Sequence, residues 1–437
     1  MRLILRLTVA FVSSNAIRAA IGFATAILMA RELGAADFGR WTLCMTIAST
    51  LTALLDLGFG VLLTRDAARS RNAQSASPAF PRDSPTIGVE VSNALLARLG
   101  LLAPVAAVVI LVTAPAGSGG LGRGISTAVL LAAVGVAYGC LSAALRGWPE
   151  WLVPVLAVET AAAIVQLAGT GWIAGRGGNF VALLWLATAV QAAQFVAATI
   201  LWMRSRDRHD AMVVPTPADA AALVGRSIPF ALSGLIANAH VRLAPLALGA
   251  FGGVEQLALY GAAQRFTTLA KMLPQSAFAG ALPVLSREVQ AGSAERVRAS
   301  FERAIAAFAV AAAVALALLA PYLVRFVYGR SFTGAATVLA WLGIGLVPLL
   351  TNNARQLYLY AAGHERTATF WSAVALAAQA AGCALLIPAF GAAGAAIAVG
   401  IGEAVVWWPL RRSELVVQPI VLAGSPVGVV AEDPVAS

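Results

Sequence analysis

Residues 8–41 read TVAFVSSNAIRAAIGFATAILMARELGAADFGRW. From 8 to 30 the stretch is apolar apart from Thr8, Ser13, Ser14, Asn15, Arg18 and Thr25. At about 1.5 Å of helix per residue it is long enough to cross a hydrocarbon core of about 30 Å. A short turn with Gly34, Asp37 and Gly39 follows, and Trp41 opens the next apolar stretch. The same alternation runs along the chain. It predicts spans near 8–30, 41–63, 94–114, 126–145, 153–175 and 181–203, then near 228–250, 258–283, 303–321, 334–361, 368–388 and 392–410.

Composition agrees, with 60% hydrophobic and 11% charged residues in a 437-residue chain, against about 25% charged in soluble domains. The sequence therefore predicts an all-α integral membrane protein of about twelve transmembrane helices. The formal charge of +10 does not point to nucleic acid, because the arginines are scattered between spans and form no basic face with aromatic platforms. They act instead as an orientation signal. With the N-terminus in the cytoplasm, Arg2, Arg6, Arg65, Arg69, Arg71, Arg82, Arg146, Arg204, Arg206, Arg208, Arg226, Arg287, Arg296, Arg298, Arg303, Arg366, Arg411 and Arg412 are cytoplasmic. Only Arg31, Arg40, Arg123, Arg176, Arg325 and Arg330 face outward. The first span continues past Asn15 and Arg18 without a convincing cleavage site and is expected to be retained. Cys44, Cys140 and Cys383 lie far apart inside spans and are read as packing residues, with no disulfide or metal framework.

The polar stretch from Arg204 to Arg226 divides the spans six and six. This gives an expected organisation of 1–210, a cytoplasmic linker 211–226, a second half 227–412 and a cytoplasmic tail 413–437. Equal halves with the same orientation suggest a duplication. The turn Leu33-Gly34-Ala35-Ala36-Asp37-Phe38-Gly39-Arg40-Trp41 has a faint counterpart in Gly252-Gly253-Val254-Glu255-Gln256-Leu257-Ala258-Leu259-Tyr260.

Charged groups inside spans carry the functional signal, since an ionised side chain at bilayer depth costs roughly 2.5–3.5 kcal/mol on insertion scales. Arg18 and Arg242 are predicted to line a watery cavity between the halves, Lys271 with them, and Arg265 is a further candidate. Asn15 shares a helical face with Arg18; Asn15 and Asn238 are secondary candidates for the cavity or a gate, while for them and His240 bonds to neighbouring helices are the expected role. Pro274 is expected to disturb the helix that carries Lys271. Arg98 is expected to reach the headgroups from the start of its span, and Arg355 to serve as a gate or loop contact as readily as a binding group. Asp56, Glu159 and Glu403 are candidates for ion coupling or for pairing with arginines; for Asp56, in Leu55-Asp56-Leu57-Gly58, pairing or helix-end bonding is the expected role. No paired carboxylates, nucleophile–base set or phosphate-cradling glycine loop occurs, so neither an enzyme nor a cofactor is expected.

Several stretches carry a family resemblance. Residues Ala30-Arg31-Glu32-Leu33-Gly34-Ala35-Ala36-Asp37-Phe38-Gly39, the run Leu55-Asp56-Leu57-Gly58-Phe59-Gly60 leading to Thr64-Arg65, Tyr328-Gly329-Arg330-Ser331-Phe332, and Leu386 through Ala396 resemble the polysaccharide-repeat-unit flippases of the multidrug/oligosaccharidyl-lipid/polysaccharide exporter (MOP) superfamily. The resemblance implies two six-helix bundles around a V-shaped central cavity, alternately open to cytoplasm and periplasm. It implies as cargo an oligosaccharide on a polyprenyl diphosphate, in a bacterial inner membrane, with a polymerase and chain-length machinery as possible partners. Two relatives compete with that reading. A cation-coupled multidrug exporter should favour acidic cavity residues, and a peptidoglycan-precursor flippase should have two further spans. An envelope-glycan polymerase or ligase would need a large periplasmic loop.

Overall fold

The computed structural model describes residues 2–76, 87–113, 120–205, 216–291 and 293–416, and every regular element among them is helical. The order is α1 (Arg2–Leu54), α2 (Phe59–Ala76), α3 (Ile87–Thr113), α4 (Gly120–Arg146), α5 (Pro149–Ala174), α6 (Phe180–Ser205), α7 (Pro217–Ala247), α8 (Val254–Gln290), α9 (Ala294–Tyr328), α10 (Ala335–Ala361) and α11 (Glu365–Val416). Arg82, Arg206, Arg208, Pro215 and nearly all of the expected tail lie outside the described residues.

Among the described helices, nine stretches are long and apolar enough to cross a membrane. Two of these, 10–54 and 365–412, run 45 and 48 residues and so hold two crossings each. They are bent at Gly34 and Gly391. The twelfth crossing, α8, falls short of that apolarity because Gln264, Arg265, Lys271 and Gln275 sit along it. α8 also stays helical through Pro274. The expected disturbance there is confined to a missing amide donor.

One predicted span is not a single helix. The stretch 41–63 breaks at Leu55–Gly58, where Leu57 (φ 44°) and Gly58 (φ 75°) are both left-handed. A second departure is α7, which begins at Pro217 with Thr216 accepting from the Asp219 amide, inside the stretch read as linker.

Helices α1 to α6 pack on one another, and α7 to α11 form a second group. We call the end bearing Gly34, Gly253, Gly329 and Gly391 the turn end and the opposite end the terminal end. Gly34 (φ 71°, ψ 177°) and Gly253 (φ 82°, ψ 165°) adopt the same glycine-only backbone conformation at equivalent corners. The corners also meet: a Cβ on Gly39 would stand 1.9 Å from the Val254 carbonyl oxygen. Thr42 and Gly261, equally spaced from their corner glycines, touch across the same seam. The faint sequence echo thus corresponds to a near-symmetric contact between the groups.

Aromatic rings extend this seal. Phe38 meets Phe332 edge-on at 5.8 Å, Phe23 meets Phe266 at 5.3 Å, and Phe266 meets Tyr328 at 5.9 Å. Each such pair contributes about 0.5–1.5 kcal/mol beyond its buried area. Arg31 adds a polar clasp by donating from Nε and Nη2 to the carbonyls of Val327 and Phe326, each at 2.7 Å. These carbonyls end α9, where unpaired acceptors favour a cation. At the terminal end the groups are joined by α7, whose Arg226 donates to Glu90 of α3 at 2.9 Å and Asp66 of α2 at 3.0 Å.

Candidate functional site

Two polar spaces lie inward of the sealed turn end. One occupies the region between the groups. Its largest part, about 620 Å³, is lined among others by Arg18, Ser49, Asp56, Arg98, Glu159 and Arg242. It adjoins a part where Arg18, Glu159, Gln191 and Arg265 meet, and another between Thr42, Ser49, Arg242 and Arg265. Arg18, Arg242 and Arg265 therefore share one interior space. The other is a chamber of about 310 Å³ inside the second group, lined among others by His240, Gln264, Lys271 and Glu403. The expectation that Lys271 joins the arginines needs correction, because Lys271 lines this chamber and none of the three parts that hold the arginines. Six positions beyond Arg265, it lies about 120° away around the same helix.

In the space between the groups, Glu159 is 4% exposed and serves as the common acceptor. It takes hydrogen bonds from Arg18 Nη1, Arg146 Nη2 and, at 2.7 Å, the Tyr138 hydroxyl. Arg18 donates in addition to the Asn15 side chain. Two guanidiniums against one carboxylate leave this cluster with positive charge. Asn238 bonds the Gly234 carbonyl of its own helix at 2.9 Å and lines the cavity.

Arg98 does not reach for headgroups. It is 2% exposed, donates to the Asp56 carboxylate, to the Asp56 carbonyl at 3.1 Å and to Cys140 Sγ at 3.3 Å, and lies over the Phe59 ring. The broken helix at 55–58 supplies the reason, since it frees backbone acceptors that a buried guanidinium can satisfy. Asp56 and Arg98 cancel.

Among the described residues Arg242 donates to Ser49 across the seam and meets no acid, and its buried Nε has no partner. Arg265 has neither a hydrogen bond nor an ion pair among the described residues. The arginines between the groups thus exceed the acids, and the excess sits at Arg18, Arg242 and Arg265. Guanidinium forks suit phosphate oxygens, which they bind in bidentate fashion.

The chamber is balanced in charge, with Lys271 against Glu403. Glu403 accepts from the Asn352 side chain at 2.8 Å. His240 bonds the Ser372 carbonyl at 3.1 Å and accepts through its own carbonyl from Gln379. Arg355 belongs to neither space. It is 5% exposed, donates to the Trp407 carbonyl at 2.9 Å and lies over the Trp407 ring, so it ties α10 to α11.

Sequence reading missed Arg146, Tyr138, Gln166, Gln191 and Gln194. Arg146 was placed in a loop, yet α4 and α5 form a tight hairpin and its long stem reaches back to Glu159. The glutamines form no charge pattern, though a polar amide in an apolar span was a usable sign.

Solved transporters of the MOP superfamily share this all-helical fold. An inward-facing multidrug resistance MATE family transporter of that superfamily superposes with a TM-score of 0.69 at 15% identity, over 93% of this chain and 98% of that one. The lipid II flippase MurJ in an inward closed conformation gives 0.70 at 12% identity, over 94% and 87%. A MOP superfamily transporter from Pyrococcus furiosus gives 0.58 at 14% identity, over 94% and 95%. No curated protein sequence matches. The family described as polysaccharide biosynthesis protein matches residues 4–289, and this chain belongs to it. The lipid II flippase MurJ family also matches residues 249–425.

Proposed function

We propose that this chain is a flippase that carries polyprenyl-diphosphate-linked oligosaccharide repeat units across a bacterial inner membrane for surface or exopolysaccharide synthesis. The observation that carries this reading is the convergence of Arg18, Arg242 and Arg265 on one space between the helix groups, with cations in excess of acids. A diphosphate leaving water needs such partners, while a polyprenyl tail is at home in lipid. Family membership supports a lipid-linked saccharide as cargo.

In this proposal residues 1–210 and 227–412 rock against each other around the cavity, joined by 211–226, whose residues from Pro217 on are the first turns of α7, and 413–437 form a cytoplasmic tail. The distribution of arginines supports cytoplasmic termini. The sealed turn end then faces the periplasm and the cavity is accessible from the cytoplasm. Transport is carrier chemistry without a covalent step. The polysaccharide polymerase and chain-length machinery are the partners that would take the product.

The test is deletion of the gene in its host, followed by extraction of lipid-linked saccharides. A flippase predicts lost surface polysaccharide and accumulated repeat-unit lipid confined to the inner leaflet. Intact polysaccharide with newly acquired drug sensitivity would reject the proposal and favour a multidrug exporter.

A further inference from the structure

The chamber inside the second helix group has a chemistry different from the arginine space. Its charges balance, and its lining includes four amides, Gln264, Gln275, Asn353 and Gln356. None of these four amide groups makes a side-chain hydrogen bond to another described residue. Gln264, Asn353 and Gln356 are half-buried and Gln275 is exposed, so these amides face the open space of the chamber. Four uncommitted amides around one space present paired donors and acceptors to whatever enters.

We propose that this chamber is the glycan subsite: the neutral sugar portion of the cargo enters the second helix group while the diphosphate stays with the arginines between the groups. The inference rests on the flippase reading above and deepens it by dividing the cargo between two spaces.

Three observations carry the division. Sugar hydroxyls both donate and accept, as amides do, whereas a guanidinium only donates and is best matched by an anion. At about 310 Å³ the chamber is at the lower end of the small-molecule range, about 300–1,000 Å³, and suits a small part of a headgroup. The two spaces also adjoin, because Gln264 and Val241 line both the chamber and the seam that holds Arg242 and Arg265. Gln264 and Arg265 are consecutive on α8. A phosphate held at Arg265 thus has its first sugar directed past Gln264 towards Asn353 and Gln356. Tyr360, 39% exposed and at the terminal end of α10, offers an amphipathic ring at the chamber's mouth.

Photo-crosslinking in the native host tests the assignment with the full chain and the authentic saccharide. A benzophenone amino acid replaces Gln356 in one strain and Gln194, which lines the arginine space, in another; tryptic peptides are then searched for attached sugar. Glycan on the peptide containing position 356 supports the subsite. Glycan captured only at position 194 overturns it while leaving the flippase function standing. No glycan at either position rejects the flippase reading and this inference together. As a second measurement, Asn353→Ala combined with Gln356→Ala should slow export about tenfold, yet leave the affinity of the purified protein for sugar-free polyprenyl diphosphate unchanged. An equal loss with the sugar-free probe would place those amides outside glycan recognition.

Discussion

Replacing Arg265 by alanine should move transport and stability in opposite directions. Arg265 has neither a hydrogen bond nor an ion pair among the described residues and lines two parts of the space between the helix groups. Removing it therefore breaks no ion pair in the fold. It also removes a charge whose presence within a span costs roughly 2.5–3.5 kcal/mol on insertion scales. Arg265 is half-buried beside the cavity, so water entering there would relieve part of that cost, and the melting temperature should stay level or rise slightly. Transport should suffer. A hydrogen bond to a charged partner contributes about 1.5–3 kcal/mol, and at about 1.4 kcal/mol per tenfold the variant should translocate about 10- to 150-fold more slowly. The assay is appearance of repeat-unit lipid in the outer leaflet of proteoliposomes, paired with thermal unfolding in detergent. An Arg265→Lys variant should recover part of the rate, because the charge returns without the bidentate fork. A variant that transports normally, or one that loses transport because it melts early, would refute the reasoning.

Glu159→Gln should be destabilising, because Arg18 and Arg146 lose their shared acceptor. Breaking a buried pair on one side costs about 3–5 kcal/mol, and the partial exposure of both arginines puts the expectation at the lower end, read as a fall in melting temperature. Gly39→Ala should prevent closure of the turn end, since its new methyl would collide with the Val254 carbonyl; spin labels at the exposed positions 40 and 330 should report a longer distance, and an unchanged distribution would contradict the seal. Arg226→Ala should speed amide exchange in the first turns of α7, with a stability loss of about 1 kcal/mol for a half-exposed pair. Equal exchange in variant and parent would show that the Arg226 contacts do not hold that helix.

Much of the fold was legible because bilayer thickness imposes a length on apolar helices, and that length can be counted along 126–145 or 334–361 without knowing any partner. The break at 55–58 was hidden, since Leu55 and Leu57 read as ordinary span residues and only the left-handed backbone reveals the interruption. Arg98 was misplaced for a related reason: its acceptor, Asp56, lies on a different helix, and depth in a span does not disclose a tertiary partner. Arg18, Arg242 and Arg265 could be picked out because charge in a span is costly wherever it points. Their common space, and the separation of Lys271 from it, depend on helix rotation. The spacing from Arg265 to Lys271 held that information, since six residues cannot return to the same side of a helix. The uncommitted amides of the chamber were the least legible part, because glutamine and asparagine bear no charge and their lack of partners emerges only when every neighbour is placed.

α7 is fastened at both ends to different bodies. Near its start Arg226 is bonded to α2 and α3, and further along His240 meets α11. Only about 20 Å of helix separates these moorings. Any change of angle between the two bodies must be absorbed as twist or bend within that short rod, which makes α7 a torsion bar and limits how far the terminal end can gape. The saccharide proposed as cargo would then have to pass beside the bar.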